Sequence, residues 1–368
     1  MLIKSLNLGS PLFKMRKIGL DILRGVAIIL VLFRHSDLEN NLIQDFGWLG
    51  VDLFFVLSGF LISNLLFKEY LKNKEVNVLR FLVRRSFKIF PPFYFFMFIT
   101  LLFSPLLNGG SNIDIREVLS ELFYLQSYLP RIWLHTWTLA VEEHFYLIFS
   151  ITLYLITNRQ LLEKRKIIIG LLVFLLILSF SMRFHISYPH RNDEFFGFMQ
   201  THLRSDGILL GVLTAYLLNF TRLNLLYQKR KWILIFISIL LILPGFYFKG
   251  GSFFMNTVGL TTLNIGFSII VLLSLDFDEF FKKSLSFYIK WVLKVFSFIG
   301  VNSYSIYLWH LNSKNISTSL FSLNSNFDTF TYITLSIVIG IIMSYLIEKP
   351  FLKIRDYAID KITLNNTE

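Results

Sequence analysis

Cysteine is absent from this chain of 368 residues, which excludes disulfides, thiolate metal sites and a cysteine nucleophile. Charge is scarce as well: 16% of the residues are Asp, Glu, Lys or Arg, where soluble domains carry about a quarter. There is no internal repeat, no low-complexity linker and no soluble stretch longer than a loop. The first apolar run is followed by no small-residue cleavage site of the kind that ends a signal peptide. What fills the chain is apolar: 54% hydrophobic residues, 17% aromatic, 41 phenylalanines and a mean hydropathy of +0.60. That balance reads as an all-α polytopic membrane protein whose solvent is the lipid bilayer. The net charge of +12 would suit nucleic acid, but the basic residues are dispersed over short loops rather than gathered in a stripe. No nucleic-acid partner is expected.

Ten apolar segments can be drawn, at about 19–36, 48–67, 90–107, 136–157, 167–183, 205–219, 232–248, 258–275, 295–312 and 330–348. They predict about ten transmembrane helices in a single membrane domain, 1–368, with core spans over 19–348 and a short cytoplasmic tail at 349–368. Of the 36 lysines and arginines, 27 fall in one set of alternate loops and eight in the other. Cytoplasmic loops hold the excess, so both termini are expected in the cytoplasm and the protein in the inner, cytoplasmic membrane of the cell.

The first segment, GLDILRGVAIILVLFRHS, organises the rest. Arg24 and His35 lie eleven residues apart, three helical turns plus about 20°, on one face and about 16 Å from each other. An arginine inside a span and an imidazole at its outer end are both expensive in lipid, and together they suggest one wall of a site that crosses the membrane. An i,i+3 pair of Asp21 with Arg24 is the purely structural alternative.

The remaining polar residues of the spans sort into two expected layers. The inner one holds Asp21, Arg24, the run Arg84-Arg85-Ser86-Phe87-Lys88 and Glu348; Arg85 and Lys88, one turn apart, make a forked site suited to phosphates. The outer one holds His35, Asp52, His135, Glu142, Glu143, His144, Arg204, Asp206, Tyr304, Tyr307 and His310. His35 is a candidate general base there, with Asp52 or Glu142 as the carboxylate that orients it. The bland readings are orientation-setting juxtamembrane charge for the basic run and interhelical hydrogen bonds for the histidines. No HExxH spacing occurs, so no metal is expected.

On these residues the chain resembles the integral membrane acyltransferase-3 family. The match is carried by DILRGVAIILVLFRH, GVDLFFVLSGFLIS, RRSFKIFPPFY, TWTLAVEEHFYL, LRSDGILLGVL, VNSYSIYLWH and EKPF, in that order. The resemblance implies an acyltransferase that moves an acyl group, by default acetyl, from cytoplasmic acyl-CoA to a hydroxyl of an extracytoplasmic glycan or glycolipid. It implies no tightly bound cofactor. It makes His35 the catalytic histidine with Arg24 as its partner in the motif, and gives Arg85 and Lys88 the acyl-CoA. Glu142 and Asp52 are the remaining catalytic candidates, and Glu143, Arg204, Asp206, Tyr304, Tyr307 and His310 the acceptor-binding ones. Three positions depart from the family pattern: Lys88 stands where Arg is usual, His144 replaces a common Gln, and Leu311-Asn312 follows SYSIYLWH in place of a Pro. Many members carry a fused periplasmic domain; with about twenty residues after the last span, this chain is expected to act alone or with a separate periplasmic partner. A transporter or flippase of a lipid-linked glycan is the competing expectation, since midmembrane charges also mark substrate pathways.

Overall fold

A computed structural model of the protein describes residues 17–37, 42–107, 113–192, 198–278, 281, 286–320 and 325–365. Among the described residues every regular element is helical. Six helices among these residues are long and apolar enough to cross a membrane: Gln44–Asn73, Val78–Phe103, Trp137–Asn158, Arg165–His190, Met255–Ser274 and Phe327–Tyr357. The chain is a multi-pass membrane protein.

The helices that position the site are α1 (Ile18–Arg34), the five-residue α2 (Leu42–Phe46), α3 (Leu49–Asn73), α4 (Val78–Leu107), the amphipathic α5 (Ile115–Leu122), α6 (Trp137–Asn158), α7 (Arg165–Ser187) and α8 (Thr201–Phe220). Short helices α9 (Leu223–Lys229), α10 (Lys231–Ile242) and α11 (Pro244–Tyr247) lead to α12 (Leu260–Ser274), which opens with a π turn at Met255–Gly259. Helices α13 (Phe287–Val301), α14 (Ser303–Leu320), α15 (Ser325–Met343) and α16 (Lys349–Asn365) complete the chain.

Three expectations about the spans change. The segment 295–312 is not one helix: α13 ends at Asn302, whose side-chain amide donates to the Phe298 carbonyl (2.8 Å), and α14 begins at Ser303. A side chain that bonds its own backbone competes with helix propagation there. The basic run at 84–88 lies inside α4, twelve residues of which precede the apolar segment starting at 90. The tail is helical too: a π turn at Ser344–Glu348 carries α15 into α16, and buried Glu348 accepts from Ser305 (2.8 Å) and Ser344 (3.3 Å).

Packing is closest where small residues let backbones touch, as expected of helices that associate without a hydrophobic driving force. A Cβ on Gly59 of α3 would land on the Ile208 carbonyl of α8, and one on Gly211 of α8 on the Val56 carbonyl of α3. Gly25 of α1 and Gly300 of α13 stand in the same relation. Gly59→Ala therefore must part α3 from α8, and should destabilise the protein by about 1–3 kcal/mol, the usual penalty for overpacking. Gly170→Ala, with open space at its Cβ, should not; thermal unfolding of both variants in detergent checks the pair.

Candidate active site

The site is built on the wall that α3 presents to α4, α6 and α14. A cavity of about 750 Å³ runs along it. On α3 its lining starts at Val51 and Phe54, passes Ser58 and Leu61, and ends at Lys68, Glu69 and Lys72; α4 adds Arg80, Arg84, Arg85, Lys88 and Ile89. Arg24 of α1, Thr138 and Glu142 of α6, Ser303, Tyr304 and Tyr307 of α14, and Arg355 of α16 close it. From Val51 to Lys72 the α3 wall is about 32 Å long at 1.5 Å per residue. One end is apolar and aromatic, the other basic.

Arg85 is the hub. Its guanidinium donates to the Tyr146 hydroxyl (2.8 Å) and to Glu142 (3.3 Å), lies 3.9 Å from Glu143, and stacks over the Tyr146 ring at 4.2 Å from its centroid. Tyr146 donates to Glu142 (2.8 Å) across one helical turn, and Ser58 donates to the other Glu142 oxygen (2.8 Å). This corrects the two-layer expectation: Glu142 and Glu143 belong with the inner cation Arg85, and Tyr304 lines the same cavity, its hydroxyl on the Ile89 carbonyl (2.9 Å). The reason is the length of α4, which carries Arg85 into the bundle as a helical residue whose flexible stem reaches α6. Lys88 and Arg24 line the same cavity. Their half-burial keeps the charges in reach of an anion without exposing them to bulk water.

Three imidazoles collect beyond the apolar end. His35 caps the C-terminus of α1 and lies ring to ring with His310 (centroids 5.0 Å), which meets His135 at 4.9 Å. His310 Nδ1 donates to the Tyr307 carbonyl (2.5 Å), and His135 Nε2 to the Leu308 carbonyl (3.1 Å). A carbonyl only accepts, so both tautomers are set and His310 Nε2 and His135 Nδ1 keep lone pairs. Both atoms are buried and without a partner among the described residues. Tyr307 joins the two halves of the site. It lines the cavity, its hydroxyl donates to the His135 carbonyl (2.9 Å) and meets the Thr138 hydroxyl (2.7 Å), and its ring lies 5.4 Å from that of His310. The cavity that contains Arg24 thus ends at Tyr307; His35 does not line it and is reached from Tyr307 through the ring of His310.

A model of the acyltransferase domain family matches residues 17–349. The chain belongs to this acyltransferase family. It is similar to O-acetyltransferase OatA of Staphylococcus aureus strain NCTC 8325 / PS 47, 28% identical over 312 residues that cover 79% of this chain and 49% of that protein. It is also similar to the "Putative O-acetyltransferase SACOL0978" of Staphylococcus aureus strain COL, 29% identical over 373 residues, 92% of this chain and 58% of the other. The chain therefore spans about half the length of the curated relatives it matches. No solved structure matches it.

Other predicted site residues of this acyltransferase-family chain stand elsewhere. Asp52 accepts from Arg204 (2.9 Å), and Asp206 pairs with Arg183 (2.5 Å) and accepts from Asn264 (3.2 Å). Arg183 also donates to Thr261 (2.8 Å) and to the Leu203 carbonyl (3.3 Å). All four charged groups are buried, Arg183 completely, and together they tie α3, α7, α8 and α12 into a neutral quartet. None of the four lines the cavity. Among the described residues neither Asp52 nor Glu142 bonds His35; the group beside that ring is His310. His144 bonds Thr201 (2.8 Å).

Glu121 on α5 escaped the sequence reading, since nothing in a short amphipathic helix marks one acid as buried. It accepts from the Thr136 hydroxyl (2.8 Å) and from the Ile132 and Trp133 amides (3.2 and 3.4 Å), and so holds the corner that delivers His135 and the start of α6. Burial pushes its carboxyl up to about 7, against the opposing pull of these hydrogen bonds and of Arg131.

Two outcomes follow. Asp206→Asn removes the charge facing a fully buried arginine and should destabilise by about 3–5 kcal/mol, as breaking a buried pair does; an acceptor-binding role alone would leave unfolding unchanged. For Glu121 the folded pKa lies above the unfolded one, so stability is full at acid pH and falls as pH rises through about 7. Glu121→Gln should flatten that slope in melting curves taken between mildly acid and mildly alkaline pH.

Proposed function

We propose that this chain is a membrane O-acyltransferase that moves an acyl group, acetyl by default, from cytoplasmic acyl-CoA to a hydroxyl of an extracytoplasmic glycan or glycolipid. The observation that carries the reading is the single cavity that is basic at one end, where Arg24, Arg85 and Lys88 stand, and meets the histidine cluster through Tyr307 at the other. Membership of the acyltransferase family and the O-acetyltransferase names of its relatives support it.

In this reading the donor phosphates lie against Arg85, Lys88 and Arg24, and the pantetheine arm follows α3 toward Phe54 and Tyr307. Arg85 is held for that task by Glu142 and Tyr146, which fix its fork and partly balance its charge in a medium of low dielectric. His35 removes the proton from the acceptor hydroxyl; the oxygen attacks the thioester carbonyl carbon, the C–S bond breaks, and the departing CoA thiolate takes the proton back from the imidazolium. The free lone pair of His310 Nε2 suits it to orient the His35 ring, the task first assigned to Asp52 or Glu142. Attack by His35 itself, with an acyl-imidazole intermediate, uses the same placement.

His35→Ala should abolish transfer of radiolabelled acetyl from acetyl-CoA to cell-envelope glycan, by at least the hundredfold typical of a lost general base, while the protein keeps its wild-type melting profile in detergent. Retained transfer would overturn the mechanism. Wild-type protein that carries glycan across a vesicle membrane without consuming the thioester would overturn the enzyme in favour of a transporter.

A further inference from the structure

The mouth of the cavity carries a second group of cations, separate from the Arg24, Arg85 and Lys88 tier. Lys68 and Lys72 lie one turn apart on α3, and Arg80 and Arg84 one turn apart on α4. All four line the same void. Like charges at i,i+4 repel within each helix, and the turn between the helices turns the two pairs toward each other. That turn is rigid. Lys74 caps α3 in the left-handed conformation (φ 62°) and pairs with Glu163 (2.7 Å), the Asn77 side chain accepts from the Arg80 amide (2.8 Å), and Glu69 accepts from the Asn77 amide (3.2 Å). Glu69, the one carboxylate among the described residues lining this end, has an oxygen committed to the backbone rather than to a neighbouring cation.

We propose that Lys68, Lys72 and Arg80 form a second anion subsite that binds a terminal phosphate monoester on the nucleoside end of the donor. This rests on the reading of the cavity as a thioester-donor site and names the part of the donor it selects. The order of chemistry along α3 matches such a molecule. The apolar stretch from Phe54 to Leu65 suits an acyl-pantetheine arm, the half-buried Arg24, Arg85 and Lys88 a pyrophosphate, and the exposed Lys68, Lys72 and Arg80 a dianionic group that stays in contact with water. The two lysines at the mouth suit that assignment, because a compact ammonium on a flexible stem meets a rotating monoester without demanding a fixed fork, whereas two of the three cations of the inner tier are arginines. Three mobile cations also attract such a dianion from a distance of about one Debye length, so the discrimination weakens as salt rises.

The test is equilibrium binding of CoA and of 3′-dephospho-CoA to the purified full chain in nanodiscs of zwitterionic lipid, at low salt. Wild type should bind CoA at least tenfold more tightly than dephospho-CoA. The Lys68→Gln, Lys72→Gln, Arg80→Gln triple variant should bind CoA as weakly as dephospho-CoA while its affinity for dephospho-CoA stays that of wild type, which also shows that it is folded. Equal wild-type affinity for both ligands would overturn the subsite and leave the donor reading standing; no binding of either would remove the donor reading itself. A triple variant that loses affinity for both alike would reduce the mouth to general steering. Discrimination that vanishes when phosphatidylglycerol is added to the nanodisc would assign these cations to lipid headgroups and overturn the proposal.

Discussion

Four charges removed from water, Asp52, Arg204, Asp206 and Arg183, set the position of α3, and α3 is the long wall of the cavity. In hydrocarbon an unpaired charge of this kind is untenable, so the pairs can be satisfied only when α7, α8 and α12 are docked against α3 in one arrangement. The glycines at 59 and 211 then let α3 and α8 approach to backbone contact, which brings Asp52 within reach of Arg204. Specificity of packing, more than net stabilisation, is what such a quartet contributes, because bringing ions into a medium of low dielectric offsets much of their attraction. The cations of the site face a wall that this arrangement holds still.

The second constraint is the Arg85 hub. An arginine in the bundle interior needs counter-charge, and Glu142 supplies it while Tyr146 and Ser58 satisfy the remaining lone pairs of the carboxylate. The pair is not closed off: Arg85 lines the cavity while Glu142 and Tyr146 hold its guanidinium. A fork held in this way binds without reorganising, which is the general advantage of a preorganised charge.

The helical class and the membrane setting were legible from hydropathy and scarce charge alone; of the two residues at the ends of the first helix, Arg24 lines the cavity and His35 lies beyond it. The grouping of the polar residues was only half legible. Depth along a span can be counted from sequence, but which helix faces which cannot, and an arginine stem moves its charge by more than a helical turn. Arg85 therefore met Glu142, although counting placed them in different layers, and Asp52 met Arg204 instead of His35. The Tyr146 to Glu142 bond was within reach of an i,i+4 reading. Glu121 was not, because its burial comes from the corner at 132–136 folding over it. The break at Asn302 was hidden because the stretches on either side of it, VFSFIGV and IYLWHL, are apolar enough to read as one segment.

That break has an effect on the cavity that no side chain carries. A helix starting at Ser303 leaves its first amides unbonded within the helix and carries the positive end of its peptide dipoles at that turn, and Ser303 itself lines the cavity. The result is a fixed partial charge of about half a proton written into the backbone, immune to pH and to substitution. Neutralising lysines and arginines one by one will thin the electric field in this chamber and leave that backbone contribution in place.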